Sequence, residues 1–264
     1  LVLWNVYNFF VTYATLDKWT PPKENLISDN LLDRWILSRF NGYINNVSKN
    51  GYKKFDTVEI VRLAHIFLKD MSLWYVRRIR ERVGPSVTSS KDKNTVYNTL
   101  WIVLKEYVKS LAPLVPFLSE EIYQNLTGEQ SVHLANWNNG NSSYEDDVLE
   151  KQMEQAREIS SVIHSYRKEG KVKVQIPLKK LQYTGHQELD EKLKKIVLDE
   201  TNVYELIYQG KGKTNEYVVF GQSGKENQDI ELGMAREIIR TIQKQRKKQG
   251  LMPNEYITAI VPNY

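Results

Sequence analysis

The stretch Asp56-Thr57-Val58-Glu59-Ile60-Val61-Arg62-Leu63-Ala64-His65-Ile66-Phe67-Leu68-Lys69-Asp70-Met71-Ser72-Leu73-Trp74-Tyr75-Val76-Arg77-Arg78-Ile79-Arg80-Glu81-Arg82-Val83 decides the fold. Its apolar residues recur every three or four positions, the spacing of one face of an α-helix. Ile60, Leu63, Phe67, Met71, Trp74 and Arg78 fall close to one line. Leu68, Tyr75 and Ile79 widen the apolar surface, so burial on more than one side is predicted. Asp56 or Thr57 can cap the start, with Glu59 in the first turn. Gly84-Pro85 ends the helix. A strip of Arg62, His65, Lys69, Ser72 and Arg80 is left for solvent.

The same pattern extends outward in both directions. Upstream, Leu32, Trp35, Ile36, Phe40 and Tyr43 predict a helix that starts near Asp29, Asn30 or Asp33 and ends at Gly51. Residues 1–19 form an aromatic segment too apolar for an exposed helix, stopped by Thr20-Pro21-Pro22. Downstream, a polar loop from Ser86 to Asn94 precedes a helix carrying Val96, Leu100, Val103, Leu104, Tyr107, Val108 and Leu111. Pro113 and Pro116 break it. A short helix then opens at Ser119-Glu120-Glu121 and runs through Leu126. Helices joined by short connections predict an antiparallel helical bundle.

Residues 136–147 are linker-like in composition, and the pattern changes after them. Helices are predicted over Val148 to Lys168, Glu188 to Glu200 and Asp229 to Gln249. Strands are predicted over Lys171 to Ile176, Val203 to Tyr208, Glu216 to Phe220 and Tyr256 to Val261. The predicted class is mostly α, an antiparallel helical bundle followed by a smaller α+β domain. Residues 1–24 close a preceding region, 25–135 form the bundle, 136–147 link, and 148–264 form the α+β domain. A weak internal repeat relates Ala156-Arg157-Glu158-Ile159 to Ala235-Arg236-Glu237-Ile238. Each runs into basic residues and a glycine, Gly170 and Gly250, and the second copy needs one extra residue.

Composition narrows the function classes. Among 264 residues, 41% are apolar and 26% charged, ordinary for a globular protein. Cysteine is absent, which excludes disulfides, Cys-ligated zinc and a thiol nucleophile in this stretch. No apolar run reaches the ~18 residues of a membrane span. The chain opens in mid-pattern without Met and is read as a fragment of a longer protein. Its 37 basic and 32 acidic residues give a net charge of +5, and the excess is local. Arg62 to Lys109 holds 10 basic and 4 acidic residues, and Arg236 to Gly250 holds 6 and 1. Such excesses attract a polyanion, because phosphate contacts release counterions. A solvated helix face gives the same pattern.

Catalytic patterns are missing. Gly212-Lys213-Thr214 has Ile207 where a phosphate-binding loop needs glycine. Gly221-Gln222-Ser223-Gly224 lacks the spacing of a nucleophile elbow. His65, His133, His164 and His186 stand apart from one another and from paired carboxylates.

Three stretches carry a family resemblance: Leu32-Asp33-Arg34-Trp35-Ile36-Leu37-Ser38-Arg39, Ser72 to Arg80, and Leu111-Ala112-Pro113-Leu114-Val115-Pro116-Phe117-Leu118-Ser119-Glu120-Glu121-Ile122-Tyr123. In this order they resemble the anticodon-binding helical domain of class I aminoacyl-tRNA synthetases. The Trp74-Tyr75-Val76-Arg77-Arg78-Ile79-Arg80 run and Trp4-Asn5-Val6-Tyr7 are most similar to the isoleucine enzymes. Ala235 to Leu251 resembles the extra domain that follows their bundle. The resemblance implies a ligase that joins isoleucine to tRNA(Ile) using ATP with magnesium. Its catalytic site lies outside this stretch, which itself takes no cofactor. It also implies a cytoplasmic monomer with no membrane partner. The portion at hand would hold the anticodon stem-loop. Valine or leucine enzymes and a stand-alone RNA-binding or scaffold module are the alternatives. Arg77, Arg78, Arg80, Arg82 and Tyr75 are the first RNA-binding candidates, followed by Arg240, Lys244, Arg246 and Lys247. Phosphates call for cations, and unstacked loop bases call for aromatic or guanidinium planes.

Overall fold

The structure, a computed structural model, describes residues 1–22, 28–84, 87–212, 216–221, 225–252, 255 and 257–258. It divides into two compact units, Leu1–Glu150 and Lys151–Tyr264.

The first unit is a helical bundle of α1 (Val2–Leu16), α2 (Leu31–Asn46), α3 (Thr57–Lys69), α4 (Arg77–Val83), α5 (Ser90–Leu111) and α6 (Pro116–Thr127). Helix ends follow local chemistry. Asn30 caps α2 by accepting from the Leu32 amide, which settles the choice left open by the sequence. Asp56 caps α3 through the Glu59 amide at 2.9 Å. Ser89 caps α5, so this helix starts several residues before the expected end of the loop. Helix α6 opens at Pro116 rather than Ser119, because a first-turn proline lacks only an amide that would have no helical partner. It ends at Gly128, whose φ of +72° suits a residue without Cβ. Pro85, Ser86 and most of the predicted strand over Tyr256 to Val261 lie outside the described residues, as do Lys213, Thr214 and Gln222 to Gly224.

Helices α3 and α4 are joined by a π-helical stretch, Asp70–Val76, so the predicted long helix exists with a widened middle. The bundle core is aromatic where α2, α3 and α5 meet. Tyr43 and Phe67 stack at 5.1 Å, and Phe67 lies 5.4 Å from Tyr107. The Tyr107 hydroxyl donates to the Ala64 carbonyl, so its polar end is satisfied. Residues 136–147, expected as a linker, lie along this bundle. The Asn141 amide donates to Asn41, the Asn138 side chain to Glu106, and Arg34 pairs with Asp146.

Helix α7 (Asp147–Glu169) leads into the second unit. A three-stranded sheet there has the order β2-β1-β3, with β1 at Leu178–Thr184, β2 at Val203–Tyr208 and β3 at Val218–Phe220. Strands β1 and β2 are parallel, with Leu178 opposite Val203, and β3 is antiparallel to β1. Parallel pairing needs a crossover, supplied by α8 (Glu191–Thr201). Helix α9 (Ile230–Lys248) is capped by Asp229. The expected strand over Lys171 to Ile176 is not formed. Lys171 turns the chain at a φ of +54°, and the Arg167 guanidinium draws in the carbonyls of Lys173 and Ile176. The strand comes later, at β1.

Candidate nucleic-acid interface

The π-helical turn turns Tyr75 inward, where it is fully buried. Its hydroxyl donates to Asp33 Oδ1 at 2.8 Å. Asp33, the third residue of α2, is itself buried and also accepts from Ser28. Arg82 closes the arrangement. Its Nη1 and Nη2 donate to the two Asp33 oxygens at 2.8 and 2.9 Å, while Nε and Nη2 reach Asp92. Burial alone would lower the Arg82 pKa. The hydrogen bonds it donates to Asp92 and Asp33 outweigh it and hold the guanidinium above its ordinary value. Burial, then the Asp33 charge, push the Tyr75 hydroxyl well above the usual tyrosine range.

The candidates therefore separate. Tyr75 has no surface to offer a base, and Arg82 is committed to two carboxylates, so both are corrected to structural roles. Arg77 and Arg80 are exposed. The Arg78 guanidinium lies 4.4 Å from the centroid of buried Trp74, and that of Arg80 lies 5.6 Å from Phe9. Nearby, Arg39 is held between Asp70 and Glu150 at 2.9 and 3.0 Å.

A second surface lies at the other end of α5. A groove of about 590 Å³ is lined by Asn45, Ser48, Lys49, Tyr52, Trp137 and Asn139, with Lys53 and Pro113. Trp137 is 38% exposed. Its indole N–H donates to Ser48 Oγ at 3.0 Å, and its ring meets Tyr52 edge-on at 5.1 Å. Tyr52 is pinned through its hydroxyl to the Ser110 carbonyl at 2.6 Å, and burial pushes its pKa up to about 12. Lys49, Lys53 and Lys54 are exposed around it, as is Phe55 at 91%. Asp92 and Ser110 stand near opposite ends of α5, about 27 Å apart along its axis at ~1.5 Å per residue. None of these groove residues was a candidate from the sequence. The signal was there in Lys53-Lys54-Phe55, a basic pair beside an aromatic.

In the second unit, Arg240, Lys244 and Lys247 are exposed on α9. Arg246 differs, because its Nη2 donates to the carbonyls of Met252 and Glu255 at 2.9 and 2.8 Å. Among the described residues, no cluster of three His, Asp or Glu side chains could hold a metal ion. No described helix is long and apolar enough to cross a membrane.

Cationic, aromatic-edged surfaces on a helical bundle suit single-stranded RNA. A family model described as the anticodon-binding domain of tRNA ligase matches residues 33–182, and the chain belongs to that family. Several relatives are isoleucine–tRNA ligases. That of Dehalococcoides mccartyi strain 195 is 33% identical over 97% of this chain and 27% of the relative. That of Thermococcus kodakarensis is 34% identical over 78% of this chain and 20% of the relative. That of Clostridium novyi is 39% identical over 68% and 18%. The chain thus spans about a quarter of the length of the Dehalococcoides mccartyi relative.

Proposed function

We propose that this chain is the tRNA-holding portion of an isoleucine–tRNA ligase and that its ligand is the anticodon stem-loop of tRNA(Ile). The observation that carries the reading is the Trp137 groove, where a half-open aromatic face, two amides and two lysines converge. Loop bases stack on Trp137 and are read through edge hydrogen bonds by Asn45 and Asn139. Lys49 and Lys53 neutralise the flanking phosphates. Arg77 and Arg80, at the opposite end of α5, and Arg240, Lys244 and Lys247 supply further phosphate contacts. Isoleucine, ATP and magnesium are bound by parts of the enzyme outside this stretch, which works in the cytoplasm as part of a monomer.

The test is binding and charging of purified tRNA(Ile), tRNA(Val) and tRNA(Leu) by the intact protein and its Trp137→Ala and Trp137→Phe variants. The reading requires preference for tRNA(Ile), a loss of about 1–3 kcal/mol with Trp137→Ala, and near-retention with Trp137→Phe. Equal binding of all three, or no response to Trp137→Ala and Lys53→Ala, overturns it.

A further inference from the structure

Helices α7 and α9 end in the same way, bond for bond. The Arg167 guanidinium donates to the carbonyls six and nine residues on, Lys173 and Ile176. The Arg246 guanidinium donates to the carbonyls six and nine residues on, Met252 and Glu255. Backbone bonds match too. The Val172 amide donates to the Arg167 carbonyl and the Leu251 amide to that of Arg246. The Lys171 amide donates to Lys168 and the Gly250 amide to Lys247, and these two donors share a left-handed backbone at φ +54° and +71°. The repeat seen in the sequence is therefore structural. Matched on these bonds, it needs no extra residue: Lys171, not Gly170, is the counterpart of Gly250.

With that register the helix faces can be compared. The positions of Met153, Ala156, Ile159, Ile163 and Arg167 on α7 correspond to Leu232, Ala235, Ile238, Ile242 and Arg246 on α9. On α7 all five are buried. They are fastened to the sheet layer and α8 by Gln155 on the Gln187 carbonyl, Tyr166 on the Gly221 carbonyl, and Arg167 on the Thr201 and Asn202 carbonyls. On α9 none of the five is buried: Leu232, at 37%, and Ala235 are exposed, and Ile238, Ile242 and Arg246 are half-buried. An apolar helix face covered on one copy and only partly covered on the other is a surface awaiting a partner. The solvated side of α7, at Ser161, Ser165 and Lys168, corresponds to Arg240, Lys244 and Lys247.

We infer that α9 is the opening helix of a second copy of this α+β module, and that its apolar face is the seat for a sheet layer like β2-β1-β3, supplied by polypeptide that follows α9. The occupant is read from the first copy, where the same face on the same kind of helix is covered by the chain that follows it. In sequence, Ile257 and Ile260 stand where this register places Leu178 and Leu181 of β1. Covering this face leaves Arg240, Lys244 and Lys247 in solvent and buries Arg246. The inference does not depend on tRNA binding.

Hydrogen exchange on the intact protein tests it, measured without tRNA at two protein concentrations and again with tRNA. The expected result is protection of α9 comparable to that of α7, independent of concentration and of tRNA. Arg246→Gln is expected to lower the protection of α9 by about tenfold, the equivalent of one charge-assisted hydrogen bond. Arg240→Gln leaves it unchanged. Exchange of α9 at the rate of a solvated helix while α7 stays protected overturns the inference. So does protection that appears only at the higher concentration, which identifies a second copy as the cover, or only with tRNA, which identifies RNA. If Arg246→Gln prevents folding, Ile242→Ala gives the same reading, with loss of protection confined to α9.

Discussion

The Arg82 guanidinium grips both carboxylate oxygens of Asp33, 49 residues away in sequence and completely buried. The contact locks the end of α4 to the start of α2, and Tyr75 adds a third donor to the same carboxylate. Breaking one side of a buried pair leaves the other charge without its partner. Asp33→Ala is therefore expected to destabilise the bundle by about 3–5 kcal/mol. Arg82→Met, which also removes a charge but keeps the hydrocarbon stem, is expected to cost a similar amount. Denaturant unfolding followed by tryptophan fluorescence reads both, and a change under 1 kcal/mol would assign the pair no structural role.

Arg77 and Arg80 share a helix with Arg82 but are exposed. The double variant Arg77→Ala/Arg80→Ala is expected to keep the melting temperature, weaken tRNA binding and shrink the salt slope by about 1 for each lost phosphate contact. Binding measured across a salt series checks this. An unchanged slope removes both from the interface.

Alkaline pH should weaken the fold in a defined window. Burial raises Tyr52 and Tyr217 to about 12 from the ordinary value of 10, and raises Tyr43 and Tyr107 as well. In this window the folded state keeps protons that the unfolded chain releases. Stability is then whole below pH 10 and falls as pH rises through 10 toward 12. Urea midpoints taken from pH 8 to 11.5 follow the loss. Tyr52→Phe should flatten the pH slope while costing stability at pH 8, where the bond to the Ser110 carbonyl is intact.

Arg167 is buried and serves four backbone carbonyls. Burial pushes its pKa down to about 10. Lysine cannot reproduce a planar fork that reaches several acceptors. Arg167→Lys is expected to cost about 2–4 kcal/mol, since carbonyls left without a donor each lose on the order of 1–3 kcal/mol. Thermal unfolding of the second unit gives the measurement, and wild-type stability would contradict the assignment.

The helices were legible because their signals are local. Asp56 and Asp229 sit at caps, and apolar spacing marked Ile60, Phe67 and Ile79 as buried. Strand β1 was not, because Lys179 and Lys180 interrupt its alternation and its buried residues are Leu178, Leu181 and Tyr183. The interface was legible only as charge. A run of arginines looks alike whether one is buried on Asp33 or all face water, and the discriminating partner lies 49 residues off. The Trp137 groove showed in the sequence only as the Lys53-Lys54-Phe55 run, for the same reason: Tyr52 and Trp137 meet only after folding.

The widened turn from Asp70 to Val76 has a consequence for anyone recombining this protein with its relatives. Each residue added to a helix advances its azimuth by about 100°. Trimming that turn by one position would swing α4 by more than a quarter revolution, carrying Arg82 off Asp33 and presenting Ile79 to water. Chimeras whose crossover falls upstream of Asp70 or beyond Val83 preserve the phase. A crossover inside the turn preserves it only when both parents carry the same number of residues there.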